Sequence, residues 1–413
     1  MRWRIAIPFA ALATIGSAKA DPDNYVIAQR GHALAIAGDC VACHTAPGGT
    51  PYAGGLALAT PFGVIMSPNI TPDDATGIGR WTKAEFARAM HEGRGQNGAF
   101  LYPAFPYPYF SKVTREDSDA IYDYLRTLDP VTNAVNRRTL PFPFSVRASM
   151  IGWNSLFFKP SPFVPDPQRS AEFNRGAYLV EGLGHCGACH TPMNGFGASK
   201  ADLFLQGNRI DEWAAPNITN DPQSGLGKWS VDEVVQYLKT GQTRTTNASG
   251  PMKEVVENST SKMPDADLKA IAVYLKERGA AGVSAPAPVP ASDPRMQVGE
   301  AIFVDTCSAC HVRNGAGIEH IFPRLADNAI VRQSDPTTLV RIILTGVRGA
   351  GTDAFPTSPA MPSFGYRLDD DQVAAVVTYI RNSWGNAASP VDPQLVKTLR
   401  SHVAGPVERS AAQ

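Results

Sequence analysis

"CVACH", Cys40 to His44, decides how this chain is read. The same frame returns as "CGACH", Cys186 to His190, and as "CSACH", Cys307 to His311. The three copies use all 6 cysteines of the 413 residues, and a histidine directly follows each pair. C-x-x-C-H is the attachment signature of c-type haem. The chemistry requires the spacing: two thiols add across the two vinyl groups of one porphyrin, and the adjacent histidine supplies the proximal ligand of the iron. A thioredoxin-like pair has no need of the trailing histidine. A structural zinc site needs four ligands in one closed tetrahedron, whereas these copies lie more than a hundred residues apart.

Composition and the N-terminus set the compartment. Lys and Arg number 38, Asp and Glu 38, a balance that gives no footprint for nucleic acid. Arg2 and Arg4 precede the apolar run "IAIPFAALATIG", and Ala18-Lys19-Ala20 follows it. That order reads as a secretory signal over 1–20, with a mature chain from Asp21. No later stretch has the roughly 20 consecutive apolar residues of a membrane span. The chain is therefore expected to be exported to the periplasm, where thiol pairs would otherwise suggest disulfides.

Sequence around each copy is matched as well. A helical pattern opens near Gly31, Gly176 and Gly299, ahead of each first cysteine. "PNIT" occurs at Pro68–Thr71 and at Pro216–Thr219, and the third copy lacks it. Trp81 and Trp229 each precede a capping box, Thr82 to Glu85 and Ser230 to Glu233, which predicts a helix start. Each unit closes on a helix that superposes at Tyr124, Tyr274 and Tyr379. These tyrosines are expected to pack the last helix against the first. The result is an all-α fold of three tandem domains, each built around a covalently attached haem: 21–128, 173–278 and 295–386. Residues 129–172 form a linker rich in proline and aromatics, either packed across two domains or exposed for docking. Residues 279–294 form a stiff Pro/Ala linker, and 387–413 a C-terminal tail.

Counting along the repeat gives candidates for the second axial ligand. Met361 lies 51 residues after Cys310 and 18 before Tyr379. Met252 lies 63 after Cys189 and 22 before Tyr274, while the nearby Met263 reads as core. In unit one the same count lands on Phe105, 62 after Cys43 and 19 before Tyr124. A phenyl ring has no lone pair to give to iron. Met66, Met150, the core-like Met90 and the solvent-directed His91 stay open as substitutes, as does a five-coordinate iron.

With these residues in view, the chain resembles the triple-haem cytochrome c subunit of bacterial membrane-associated dehydrogenases that oxidise alcohols, gluconate, sorbitol or fructose. The resemblance rests on the three C-x-x-C-H sites and on "MSPNITPD", "LYPAFPYP", "HCGACHTPMN", "GPMKEVVENS" and "AMPSFGYRL". It implies three cytochrome c-like domains with three covalently bound haem c groups. Cys40, Cys43, Cys186, Cys189, Cys307 and Cys310 would attach them, and His44, His190, His311, Met252 and Met361 would ligate iron. It also implies an electron-transfer subunit without catalytic residues of its own. Its electrons would come from a flavin, pyrroloquinoline-quinone or molybdenum subunit. They would pass to ubiquinone or a soluble carrier, with peripheral attachment at the periplasmic face of the membrane. Many relatives carry Met in the "YPAMPY" position where Phe105 stands here, and the tail has no strong hydrophobic anchor. The alternative function is a haem enzyme that reduces peroxide or binds a gas at unit one.

Overall fold

The structure is a computed structural model that describes residues 22–403 apart from 137–138, 211, 280–281 and 283. The expected signal, 1–20, lies outside the described residues. Unit one runs α1 (Pro22–Ala37), α2 (Cys40–Cys43), a hairpin of β1 (Ala57–Thr60) and β2 (Gly63–Met66), α3 (Lys83–Glu92), α4 (Tyr107–Phe110) and α5 (Arg115–Leu125). After it comes α6 (Met150–Phe157). Unit two repeats the order with α7 (Ala171–Tyr178), α8 (Cys186–His190), β3 (Asn208–Ile210), β4 (Trp213–Ala215), α9 (Val231–Thr240), α10 (Pro251–Asn258) and α11 (Asp265–Glu277). Unit three has α12 (Pro294–Ile302), α13 (Ser308–His311), α14 (Thr337–Thr345), β5 (Val347–Arg348), β6 (Ala360–Met361), α15 (Asp370–Arg381) and α16 (Pro393–Val403). The strands pair only as small antiparallel hairpins, with Ala57 opposite Met66, Asn208 opposite Ala215 and Val347 opposite Met361. The fold is helical, as the repeat implied.

Local sequence accounts for the helix starts. Thr82 Oγ1 accepts from Glu85 N at 3.2 Å while Glu85 Oε2 accepts from Thr82 N at 2.8 Å. Ser230 and Glu233 make the same reciprocal pair at 3.1 and 2.8 Å, so both predicted capping boxes form. In unit three the box moves to Asp369 and Gln372, opening α15.

In each unit the first helix crosses the last at one glycine. A Cβ on Gly31 would stand 1.9 Å from Ala120 O, one on Gly176 2.0 Å from Ala270 O, and one on Gly299 2.3 Å from Ala375 O. The Cβ atoms of Tyr124, Tyr274 and Tyr379 sit against the same three glycines. The tyrosines thus pack the last helix on the first, as expected. Backbones this close leave no volume for any side chain, so glycine here serves contact between helices rather than a special dihedral.

Units one and two share one apolar core, from Leu34 and Ile121 to Leu179 and Leu275, and unit three has its own around Phe303, Val340 and Val376. Asp117 of α5 joins the first two units: it is buried and takes hydrogen bonds from Arg30 and from Tyr178 of α7. Residues 387–403, read as a tail, belong to the third core: Val391, Val396 and Leu399 are buried in it and α16 packs on α14 and α15. The linker helix α6 buries none of its residues; it is tethered along one side and open on the other.

Replacing Gly31, Gly176 or Gly299 by valine is expected to destabilise the protein by about 1–3 kcal/mol each through overpacking. Gly152 has open space where a Cβ would go, so Gly152→Ala is expected to cost nothing. Thermal unfolding of the haem-loaded variants measures both.

Candidate functional site

Residues i, i+3 and i+4 share one face of a helix. The single-turn helices α2 and α8 therefore place Cys40, Cys43 and His44, and Cys186, Cys189 and His190, each on one side. In unit three Cys307 closes a π-helical turn, Phe303–Cys307, that leads directly into α13 with Cys310 and His311. A second π-helical turn, Leu179–Leu183, precedes α8. Such turns recur at functional sites because they re-aim the helix that follows. All six thiols are free.

The histidines share one polar partner. His44 Nδ1 meets Pro68 O at 2.8 Å, His190 Nδ1 meets Pro216 O at 2.7 Å, and His311 Nδ1 meets Pro323 O at 3.0 Å. A carbonyl can only accept, so Nδ1 carries the proton and donates. Burial lowers the affinity of all three imidazoles for a second proton, against the smaller opposing effect of that carbonyl. Each ring is thus neutral at pH 7, with the Nε2 lone pair free; Nε2 makes no hydrogen bond among the described residues. A metal-bound histidine needs this arrangement: a second partner that fixes tautomer and ring orientation. The residues fit a haem c group: paired thiols on the face of an oriented, unprotonated imidazole, three times over.

This proline carbonyl is what sequence reasoning missed. "PNIT" was visible, but not its purpose. Pro supplies the acceptor, and the Asn side chain then folds the turn, with Asn69 Oδ1 accepting from Thr71 N at 2.9 Å and Asn217 Oδ1 from Thr219 N at 2.9 Å. In unit three the acceptor sits 12 residues beyond the histidine, against 24 and 26 in the other units. There the hairpin that lengthens the loop in units one and two is reduced to a bridge between Ile318 and Phe322.

The attachment segments of units one and two abut. His185 Nε2 lies 3.3 Å from Gly38 O. The coverage is reciprocal: α10 packs on α2, while Tyr109 of α4 bonds Ser199 at 2.8 Å and crowds Gly187 of α8. Between them Asp39 is held in a left-handed conformation at φ 48°. Burial, and then the charge of Glu254, raise its carboxyl to about 8. Burial also pushes the Cys40 and Cys186 thiols up to about 12.

Met252 is the second residue of α10 and packs half-buried on the shared core. Met361 lies on β6 and packs on the third core. The loops carrying them touch: Ala350 N donates to Ala248 O at 3.1 Å, and Gly351 N donates to Glu257 Oε1 at 2.7 Å. Met263 is buried, in keeping with a core role. Phe105 packs half-buried on the shared core, its ring 5.3 Å from that of Phe110. The other unit-one candidates lie on different elements. Met66 lies on β2, on the strand that leads to Pro68; Met90 is buried on α3; Met150 opens α6. His91 does not face solvent as expected. It is half-buried, with Val113 and Arg115 against its ring, and its Nε2 has no hydrogen-bond partner among the described residues.

Comparison with known proteins identifies the class of protein to which the chain is similar. The chain matches the family described as "Cytochrome c" over residues 28–129 and 296–384. It is 42% identical to the gluconate 2-dehydrogenase cytochrome c subunit of Pantoea cypripedii, over 95% of this chain and 92% of that protein. It is 41% identical to the cytochrome c subunit of the quinone alcohol dehydrogenase of Komagataeibacter europaeus, over 93% and 86%. It is 39% identical to the fructose dehydrogenase cytochrome subunit of Gluconobacter japonicus, over 90% and 82%.

A pyridine haemochrome assay of the purified protein is expected to count three haems per chain. Replacing either Cys40 and Cys43, or Cys307 and Cys310, by serine should lower the count to two; a wild-type count of one or none contradicts the assignment.

Proposed function

This chain belongs to the family of cytochrome c subunits of bacterial dehydrogenases, and from that premise we propose that it is an exported, three-haem electron carrier. It would take electrons from a dehydrogenase catalytic subunit and deliver them to ubiquinone or a soluble carrier at the periplasmic face of the membrane. The observation that carries the reading is the threefold set of two thiols and one neutral imidazole, each imidazole oriented by a proline carbonyl. Bound haem c supplies reversible one-electron exchange at its iron. The protein's own part is to hold, orient and bury.

Cys40 and Cys43, Cys186 and Cys189, and Cys307 and Cys310 attach; His44, His190 and His311 ligate. Thioether attachment fixes each group by covalent bonds, so the order of the units is built into the chain. Met252 and Met361 would supply thioether sulfur to the iron alongside the imidazole, a ligand pair that raises the reduction potential. Phe105 puts a hydrocarbon ring in the corresponding slot of unit one. A ring without a lone pair in that slot would set unit one apart chemically from the other two. The substrate of the catalytic subunit is a small alcohol, sugar or sugar acid on this reading, and the flavin, quinone or molybdenum identity of that subunit lies outside this chain. A tagged copy isolated from its native host should bring a larger dehydrogenase subunit with it; isolation alone, with full haem content, would contradict the partnership.

The ligand assignment has its own readout. The near-infrared charge-transfer band of methionine-ligated ferric haem is expected at the intensity of two haems in three. Met252→Ala and Met361→Ala should each remove half of it. Phe105→Met should add half and raise one reduction potential. A wild-type band worth three haems would mean that another methionine ligates in unit one.

A further inference from the structure

The proline carbonyls that orient the three histidines each belong to a peptide group with an N–H on its other side. In a trans peptide the two point in opposite directions, so a hydrogen bond given by the N–H polarises the C=O and strengthens the bond it accepts. In two of the units that N–H reaches into the neighbouring unit. Pro216 O receives His190 Nδ1–H, and the N–H of the same peptide, at Asn217, donates to Gln333 Oε1 of unit three at 3.2 Å. Pro323 O receives His311 Nδ1–H, and Arg324 N donates to Thr245 O of unit two at 2.8 Å. Each of these units thus supplies the acceptor behind the other's proline peptide. In unit one the linker supports the corresponding loop: Asn69 Nδ2 donates to Val131 O at 2.7 Å, and Asn133 N to Thr76 Oγ1 at 2.9 Å.

Gln333 is held for this contact. Its Nε2 donates to Ser224 O of unit two, and to Ala329 O at 3.0 Å. Both amide hydrogens are therefore used, which turns Oε1 toward Asn217 N, a group that can only donate. Thr338 adds a second tie to the same loop. Ala214 N donates to Thr338 Oγ1 at 2.9 Å, and that hydroxyl donates to Ala214 O at 3.1 Å. The two ties flank Pro216 in the sequence. An acceptor behind the peptide makes Pro216 O a better acceptor for His190 Nδ1–H, and this makes the imidazole a stronger donor at Nε2. A stronger donor favours the oxidised state of a bound iron and lowers its reduction potential.

We propose that Gln333 of unit three is a positioning residue for unit two. Through the Pro216–Asn217 peptide it orients His190 and strengthens the bond at its Nδ1, and so lowers the reduction potential of unit two. Thr245 O serves His311 in the other direction, through the Pro323–Arg324 peptide. The inference rests on the reading of these histidines as haem ligands in an electron carrier. It adds that the potential of one relay site is set in part by a side chain of the next.

The test uses the full-length, haem-loaded protein with Gln333→Met, which keeps the length of the side chain but presents only a weak acceptor to Asn217 N. Reduction potentials are read by spectroelectrochemical titration, and the imidazole Nδ1–H resonances by NMR of the reduced protein with isotope-labelled histidine. One couple, the one absent from the C186S/C189S protein, is expected to rise. Its reduction equilibrium should shift at least twofold, about 20 mV. The His190 Nδ1–H resonance should move upfield, the direction of a weaker hydrogen bond, while that of His44 stays in place. Gln333→Glu separates this role from a merely structural one. It removes both Nε2 donations but keeps an oxygen toward Asn217 N. A structural role would move its readouts as far as those of Q333M. On the proposal its His190 resonance stays in place or moves downfield, and its unit-two potential does not rise. An unmoved His190 resonance and potential in Q333M, or an upfield shift in Q333E, overturns the proposal. Should Q333M fail to load haem in unit two, Q333E decides by the same two readouts. Haem content separates the two levels: three haems without these shifts sinks only the role of Gln333, whereas missing haems in the wild type sink the electron-carrier reading itself.

Discussion

One hydrogen bond per unit, from a histidine Nδ1–H to a proline carbonyl, constrains most of what surrounds it. An imidazole that is to ligate through Nε2 must keep its proton on Nδ1, and a buried Nδ1–H must find an acceptor. Proline is suited to give that acceptor: it has no N–H of its own to satisfy, and its fixed φ stiffens the approach. The chain leaving the attachment helix must then loop out and return to this point. Units one and two do so through a two-stranded hairpin, and unit three by a shorter path. The crossing of first and last helix at Gly31, Gly176 and Gly299 closes the other side of each unit. Burial around the ring, which keeps it neutral, is a consequence of both.

What was legible in the sequence is what is local or periodic. The C-x-x-C-H frames, the capping boxes at Thr82 and Ser230, and the closing helices at Tyr124, Tyr274 and Tyr379 all express themselves within one or two helical turns. The glycines are visible as the start of a pattern, but their purpose needs a partner on the distant closing helix, Ala120, Ala270 or Ala375. Pro323 was invisible because its loop is half as long as its counterparts, and alignment by spacing fails when a hairpin is removed. The helix α16 was read as a tail since Val396 and Leu399 give a short apolar stripe whose partner surface on α14 and α15 the sequence cannot show. His91 was misplaced for a related reason: the register of α3 alone points it outward, and the cover supplied by Val113 and Arg115 is tertiary.

Unit two holds the middle position physically as well as in sequence. Toward unit one it shares a core, a buried Asp117 and the contact of His185 with Gly38 beside the two attachment helices. Toward unit three it offers the ligand loop itself: Ala248, Val256 and Ala350 form a small apolar cluster, with Met252 against it. The two interfaces are of different kinds: the first lies at the attachment edges, and the second takes in the Met252 and Met361 segments together with hydrogen bonds between Thr338 and Ala214 and between Gln333 and Asn217. A rigid relay benefits from both, because the separation of its sites is then set by packed core and backbone hydrogen bonds rather than by the linkers.

Phe105 shows how such a repeat can differentiate without refolding. The slot it fills lies in the segment before the closing helix, the segment that carries Met252 on α10 and Met361 on β6 in the other units, and its ring joins the apolar core beside Phe110. Exchanging a thioether for a phenyl group keeps most of the buried area, so the cost to the fold is small compared with loss of a core residue. On the proposed ligation, the effect on iron would be of another order, because a thioether has a lone pair to give and a phenyl ring has none. A scaffold that keeps its histidine, its proline carbonyl and its helix crossing constant can therefore vary potential one unit at a time. The three units are alike where the fold requires it, and unit one departs at a residue on which the fold depends little.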